Sequence, residues 1–282
     1  MRIWGLERGR LKEKQIKLEE AAGLERELVR TKISRCRQQG YPYTIALTGA
    51  GGKTTAMLQL AKELSEDGWK TAVITSTHIF VPETGLVFIT EKEEDRAPLE
   101  DEREYMRLEQ ICREAEERKI YVTAGGQGPA EQKDNKLSAL SASFLEQLKR
   151  WADILLVEAD GSRRLPLKVP APWEPVIPEE TSLVIGCAGL SSIGRQWKDV
   201  CFRQEYAKDF FTEELVTAEA IAGILTDSRG TKKSVGDREY VILLNQADSE
   251  EERKQGERIL ALTEGKCARG ICTCFLPLED RG

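Results

Sequence analysis

The sequence has no apolar run near the roughly 18 to 20 residues that a membrane-spanning helix requires. Its first residues, MRIWGLERGRLKEKQ, are charged and lack the apolar segment of a secretory leader, so a cytoplasmic protein is expected. Positive charge is not in excess either: 42 lysines and arginines stand against 48 acids, a net charge of -6. Such a chain has no field to draw in a nucleic-acid backbone or an anionic membrane, and neither is an expected partner. Small anions are left open, because they need only a local basic patch. Internal repeats and low-complexity segments are absent. So is a disulfide framework, since seven cysteines at 36, 112, 187, 201, 267, 272 and 274 form an odd, scattered set that suits reduced thiols. Cys267, Cys272 and Cys274 could grip a soft metal, but no fourth ligand is near. Cys272 and Cys274 alternate with Ile271, Thr273 and Phe275, which reads as a strand with small buried side chains.

What the sequence does contain is 40% hydrophobic residues, enough for a packed core. Residues 11–39 are dense in Lys, Glu and Arg, with Ile16, Leu18, Ala21, Leu24, Leu28 and Ile33 at loosely helical spacing. This spacing predicts a helical extension over 1–40, closed by Gly40 and the Tyr41-Pro42 break. From 41 to 282 short apolar runs alternate with amphipathic stretches, the pattern of an α/β domain with a mostly parallel sheet and helices on both faces. Strands are expected at 44–48, 71–76, 86–90, 120–124, 154–158, 183–187, 240–245 and 271–276. Helices are expected at 53–67, 99–118, 136–150, 213–224 and 249–263. The charge run at 91–104 reads as a solvated loop and helix start.

The first of these strands runs into T-G-A-G-G-K-T-T, residues 48–55. The full phosphate-loop pattern G-x-x-x-x-G-K-[ST] is absent, because Leu47 stands where its first glycine belongs. A shorter G-x-x-G-K-T-T remains: Gly49, Ala50, Gly51, Gly52, Lys53, Thr54 and Thr55. A strand before it and an amphipathic helix after it supply the setting of a P-loop NTPase-like fold. Backbone amides from Thr48 to Thr54 are expected to form a nest for the phosphates of ATP or GTP at the positive end of the helix. Lys53 would reach the phosphates, Thr54 would ligate Mg²⁺, and Thr55 would serve the helix start or a second phosphate contact.

Such a site needs acids at the end of another strand, and D-I-L-L-V-E-A-D-G-S supplies Glu158 and Asp160. Two residues apart, they share one side of a strand end; one could hold Mg²⁺ while the other orients an attacking group, or the pair could be an ordinary Asp-Gly turn. Arg163, Arg164 and Lys168 follow within a proline-punctuated loop, as candidates for an anionic substrate or as plain surface charge. T-S-T-H after the second strand offers Thr75 or Thr77 to the metal, and His78, the only histidine, to the substrate. L-L-N-Q-A-D approximates the N-K-x-D of GTP-binding proteins, with Asn245 bracing the loop and Asp248 on the base; a capped helix start is the plainer reading.

V-I-T-S-T-H-I-F-V-P-E, E-A-D-G-S-R-R-L-P-L-K-V-P, W-E-P-V-I-P-E-E-T-S-L-V-I-G-C-A-G-L and L-L-N-Q-A-D together resemble the YqeC family of selenium-dependent molybdenum hydroxylase accessory proteins. The resemblance covers about residues 43 to 248. It implies a P-loop nucleotide-binding fold and a role in maturing such a hydroxylase, whose apo form, or another maturation protein, would be the partner. Gly49, Gly51, Gly52, Lys53, Thr54, Thr55, Glu158, Asp160, Gly161, Ser162 and Lys168 carry over; His78, where the family has lysine, and Gln246 depart. Three functions are compatible with these residues: Mg²⁺-dependent NTP hydrolysis in a maturation factor, phosphoryl transfer or ligation on a small anion, and a nucleotide-gated binding module without turnover.

Overall fold

The computed structural model describes residues 1–91, 98–210 and 213–275, with the side chains of 98–101 left aside. The chain opens with β1 (Arg2–Glu7), β2 (Arg10–Lys14), α1 (Leu18–Ala21) and α2 (Arg26–Gln38). β3 (Tyr43–Gly49) leads into α3 (Lys53–Glu66), followed by β4 (Thr71–Thr75), β5 (His78–Phe80) and β6 (Leu86–Glu91). Then come α4 (Pro98–Arg118), β7 (Val122–Gln127), α5 (Pro129–Lys133), β8 (Lys136–Ser138), α6 (Ala142–Trp151) and β9 (Ile154–Glu158). The last part holds β10 (Leu167–Lys168), β11 (Thr181–Gly189), α7 (Trp197–Val200), β12 (Cys201–Phe202), α8 (Ala218–Thr226), β13 (Glu239–Asn245), α9 (Glu250–Leu262) and β14 (Arg269–Cys274).

Among the described residues twelve strands form one mixed sheet in the order β2, β1, β14, β13, β11, β3, β9, β4, β7, β8, β5, with β6 on β7. Its centre, from β14 to β7, is parallel, as is β6 on β7. Antiparallel strands close both ends: β1 and β2 beyond β14, β8 and β5 beyond β7. β10 and β12 form a separate two-stranded parallel ribbon.

The two-residue period of the strands decides which face each side chain serves. Ile45, Leu47, Leu156, Ile185, Val241 and Leu243 turn to the face packed by α1, α2 and α3 through Leu18, Val29, Ile33, Met57, Leu60 and Leu64. Ala46, Val184, Ile242 and Leu244 turn the other way, onto Ile221, Ile224 and Leu225 of α8 and Ile259 and Leu260 of α9. Ala72, Ile74, Val122, Ala124, Leu155 and Val157 meet Leu108, Cys112, Phe144 and Leu148 of α4 and α6. A sheet buried on both faces gives the near-continuous apolar strands seen here, and it leaves strand ends as the places where polar groups collect. Cys272 and Cys274 lie buried on β14. No helix among the described residues is long and apolar enough to cross a membrane.

Two expectations are corrected. The helical reading of residues 11–39 holds for α1 and α2, but residues 10–14 are the outer strand of a hairpin turned at Arg8 and Gly9, both at positive φ. Ile3 and Trp4, 2% and 5% exposed, anchor this hairpin against β14, and the charges of β2 are those of an edge strand kept from pairing further. The helix expected at 136–150 begins only at Ala142, because Lys136–Ser138 pairs with β5 and β7. Residues 92–97 of the charge run and residue 276 of the last expected strand lie outside the described residues.

Candidate functional site

β11, β3 and β9 are parallel neighbours at the middle of the sheet, so the loops at their carboxyl ends converge, where parallel sheets commonly bind ligands. The loop from β3 to α3 holds Gly49, Gly51 and Gly52 at φ 85°, 73° and 100°. A Cβ at Gly51 would lie 2.2 Å from the Gly189 nitrogen, and one at Gly52 would lie 2.8 Å from Asn245 Nδ2. Only glycine meets both the left-handed turn and these neighbours.

The amides of this loop divide into two groups. The Gly49 N–H donates to Asp160 Oδ2 (3.2 Å), that of Ala50 to the Cys187 carbonyl (3.0 Å), and that of Gly51 to the Leu165 carbonyl (3.2 Å). The anion nest expected over 48–54 is therefore smaller than the sequence suggests, because three of its donors already have protein acceptors. α3 has no side-chain cap at Gly52, and its first internal bond runs from Ala56 to the Gly52 carbonyl. The N–H groups of Lys53, Thr54 and Thr55 thus have no intrahelical acceptor at the positive end of the helix.

Behind the loop lies a buried chain of charges. Lys53, 3% exposed, places Nζ 2.8 Å from the Gly49 carbonyl, 2.9 Å from Asp160 Oδ1 and 3.7 Å from Glu158 Oε1. Burial alone would lower the Lys53 pKa, but Asp160 and Glu158 outweigh it and hold the ammonium charged. Glu158 also accepts from Thr54 Oγ1 at 2.6 Å; burial raises its pKa, an effect that Lys53 offsets only in part. Asp160 continues the chain to Lys168, whose Nζ lies 3.2 Å from Asp160 Oδ2, 3.0 Å from Glu174 Oε2 and 2.6 Å from the Gly161 carbonyl. Arg203 closes it, with Nε 2.9 Å from Glu174 Oε2. Burial works to raise the Glu174 pKa, but the Lys168 and Arg203 partners bring it below the ordinary value.

Gly51, Gly52, Lys53, Thr54, Thr55 and Glu158 line one side of a cavity of about 710 Å³. Thr77, His78, Ile79, Phe80, Lys136, Gly161, Ser162, Arg163, Arg164, Leu165, Glu174, Phe202, Arg203 and Gln246 line the rest. That volume is within the range of about 300 to 1,000 Å³ usual for small-molecule sites. A larger groove of about 870 Å³ between Glu13, Lys17, Glu63 and Asp67 contains none of the loop residues.

Several residues singled out in the sequence stand elsewhere than expected. Lys168 is 1% exposed with its donors occupied, so it braces Asp160 and Glu174 and does not face a substrate. The Thr75 hydroxyl is buried against the Glu158 carbonyl (3.4 Å) and the Thr77 N–H (3.0 Å), and it is Thr77 that lines the cavity. His78 lines the cavity while its Nε2 lies 3.2 Å from Glu131 Oε1. Asn245 is buried: it donates to the Gly51 carbonyl (2.7 Å) and accepts from the Thr273 hydroxyl, so it braces the loop. Asp248 is not among the lining residues; its Oδ1 is buried with no hydrogen-bond partner. Phe202 and Arg203 have no signal in the sequence beyond residue type, and Phe80 and Glu174 stand within stretches that carry the family resemblance without being singled out there. β10 and β12 bring Phe202 beside Lys168, and the loop 170–176 folds Glu174 back onto it.

No group of three or more His, Cys, Asp or Glu among the described residues forms a metal cage. A Mg²⁺ ion does not require one, since it is commonly held by one or two carboxylates, phosphates and water. The Thr54–Glu158 pair, adjoining uncapped amides and Lys53 on the same cavity wall, fits such a metal–phosphate group.

The architecture defines an α/β protein with a glycine-rich strand-to-helix loop at the carboxyl ends of parallel strands. The profile of the family described as YqeC protein matches residues 45–205, from the glycine loop through Glu158 and Asp160 to Arg203, and the chain belongs to that family. Over 158 residues it is 28% identical to the Uncharacterized protein YqeC of Escherichia coli (strain K12), a match that covers 55% of this chain and 55% of that protein. The chain thus spans about half the length of that relative. The Signal Recognition Particle 54 kDa protein from Aeropyrum pernix K1 in complex with GDP aligns with 89% of this chain and 48% of its own at 15% identity. Its TM-score of 0.38 is too low for the likeness to bear on function.

Proposed function

We propose that this protein binds a nucleoside triphosphate with Mg²⁺ at the start of α3, hydrolyses it, and serves as an accessory factor in maturing a selenium-dependent molybdenum hydroxylase. One observation supports the nucleotide reading above others: the uncapped start of α3, Lys53 and the Thr54–Glu158 pair share one cavity wall. The accessory role, with an apo molybdenum hydroxylase as partner, rests on the sequence resemblance.

The residues divide the work. Lys53 exchanges Asp160 and the Gly49 carbonyl for phosphate oxygens, so its charge is held ready and oriented before the ligand arrives. Thr54 and Glu158 would hold Mg²⁺, directly or through water, and the ion would supply positive charge against the phosphates. Asp160, 1% exposed between two lysines, positions Lys53 and stays out of the cavity. Asp248 stands outside the cavity with its Oδ1 buried, so the reading takes the triphosphate of either ATP or GTP.

The test is thermal unfolding with ATP, GTP and CTP plus Mg²⁺, followed by assay of inorganic phosphate. Protection by a nucleoside triphosphate, abolished in Lys53→Ala, is the expected result. Equal protection in that variant would remove the glycine loop from nucleotide binding.

A further inference from the structure

The cations around the cavity can be accounted for one by one. Lys53 is matched by Asp160 and Glu158, Arg203 by Glu174, Lys136 by Asp134 at 2.8 Å, and His78 lies against Glu131. Arg163 and Arg164 are the exceptions: no carboxylate among the described residues pairs with either. Each rests instead on an aromatic ring, Arg163 at 5.1 Å from the Phe202 centroid and Arg164 at 4.1 Å from that of Phe80. Both lie in the left-handed region at φ 51° and 62°, in a turn closed by the Leu165 N–H on the Ser162 carbonyl (3.0 Å). For a residue other than glycine this is a strained backbone conformation. The turn brings both guanidiniums to the cavity wall.

We propose that the mouth of the cavity, at Arg163, Arg164, Phe80 and Phe202, is a second ligand subsite for an anion that carries a planar ring. The anion supplies the negative charge this pair lacks. A guanidinium lying on a ring keeps its edge N–H donors free for a phosphate or carboxylate. Phe80 carries Lys136 at 5.4 Å from its centroid as well as Arg164, and at 41% exposure it still presents ring surface for stacking. Within one cavity, the start of α3 and this mouth then take two different ligands. The proposal rests on the nucleotide reading only in assigning the α3 end to the triphosphate; the mouth itself is defined by its own residues.

The probe is 1-naphthyl phosphate, titrated by calorimetry into the full chain saturated with a non-hydrolysable triphosphate and Mg²⁺. Inorganic phosphate and 1-naphthylmethanol serve as the anion without the ring and the ring without the anion. Binding of the naphthyl phosphate, weakened at least about tenfold in Arg163→Ala/Arg164→Ala and in Phe80→Ala, is the expected result. Both controls are expected to bind about tenfold or more weakly. Displacement of the probe by the triphosphate would overturn the proposal, since it would give the arginines to the nucleotide. Equal binding by the variants, equal binding of inorganic phosphate, or no binding would overturn it as well. Nucleotide protection is read separately through Lys53→Ala, and its failure would sink the nucleotide reading while leaving the probe titration interpretable.

Discussion

Cations at the floor of the cavity and cations at its mouth are held by different forces. At the floor Lys53, and behind it Lys168, which does not line the cavity, are buried and each is saturated by carboxylates and carbonyls, in a chain that runs from Glu158 through Asp160 to Glu174 and Arg203. At the mouth, Arg163 and Arg164 are exposed, lie on aromatic rings and have no carboxylate partner among the described residues. A balanced, buried set accepts a phosphate only by exchanging partners, so it couples ligand binding to a local rearrangement. An unbalanced, exposed pair accepts negative charge as it stands. The floor should therefore carry stability and pH dependence, and the mouth should carry little of either.

The largest expected effect comes from breaking the floor. Asp160→Ala leaves Lys53 with Glu158 and Lys168 with Glu174 as their remaining carboxylates and should cost about 3 to 5 kcal/mol in urea denaturation. A loss below about 1 kcal/mol would show that the buried chain is not an interdependent set. Next, Glu158→Gln keeps an acceptor for the Thr54 hydroxyl and leaves Lys53 on Asp160. Nucleotide protection should survive in that variant while turnover falls at least about 100-fold; undiminished phosphate release would take Glu158 out of the reaction.

The pH dependence is smaller and is expected from the floor alone. Because burial raises the Glu158 pKa, the folded protein keeps a proton that the unfolded chain releases at lower pH. The contribution of this group is most favourable below the ordinary glutamate value and is lost as pH rises toward and through the raised one. Glu158→Gln should remove that part of the slope in a series of denaturation curves, and Arg163→Ala/Arg164→Ala should leave it in place. A slope unchanged in Glu158→Gln would contradict the burial argument. The smallest effect belongs to Arg164→Ala alone, a change within about 0.5 kcal/mol of wild type in the same assay, because an exposed stacked arginine adds little to folding.

Much of the fold was legible because its signals are local. A short apolar run before Gly49 and an amphipathic stretch after Lys53 place the loop at a strand-to-helix junction, where β3 and α3 meet. The strands at 154–158 and 240–245 fall within a residue of β9 and β13 for the same reason: buried parallel strands are apolar throughout. The hairpin of β1 and β2 was not legible, because a charged edge strand and a charged helix have similar compositions. Nor was the fate of individual loop amides, which depends on Leu165 and Cys187, residues more than a hundred positions away. Arg163, Arg164 and Lys168 look alike in sequence, and only tertiary burial separates a brace from two open guanidiniums.

The central claim is that the start of α3 takes a nucleoside triphosphate through Lys53. Calorimetric titration of the wild type and of Lys53→Ala with ATP and GTP in the presence of Mg²⁺ tests it most directly. Saturable binding by the wild type, lost or weakened at least about 100-fold in Lys53→Ala, is the predicted result. Identical isotherms for the two proteins, or no heat from either, would contradict it.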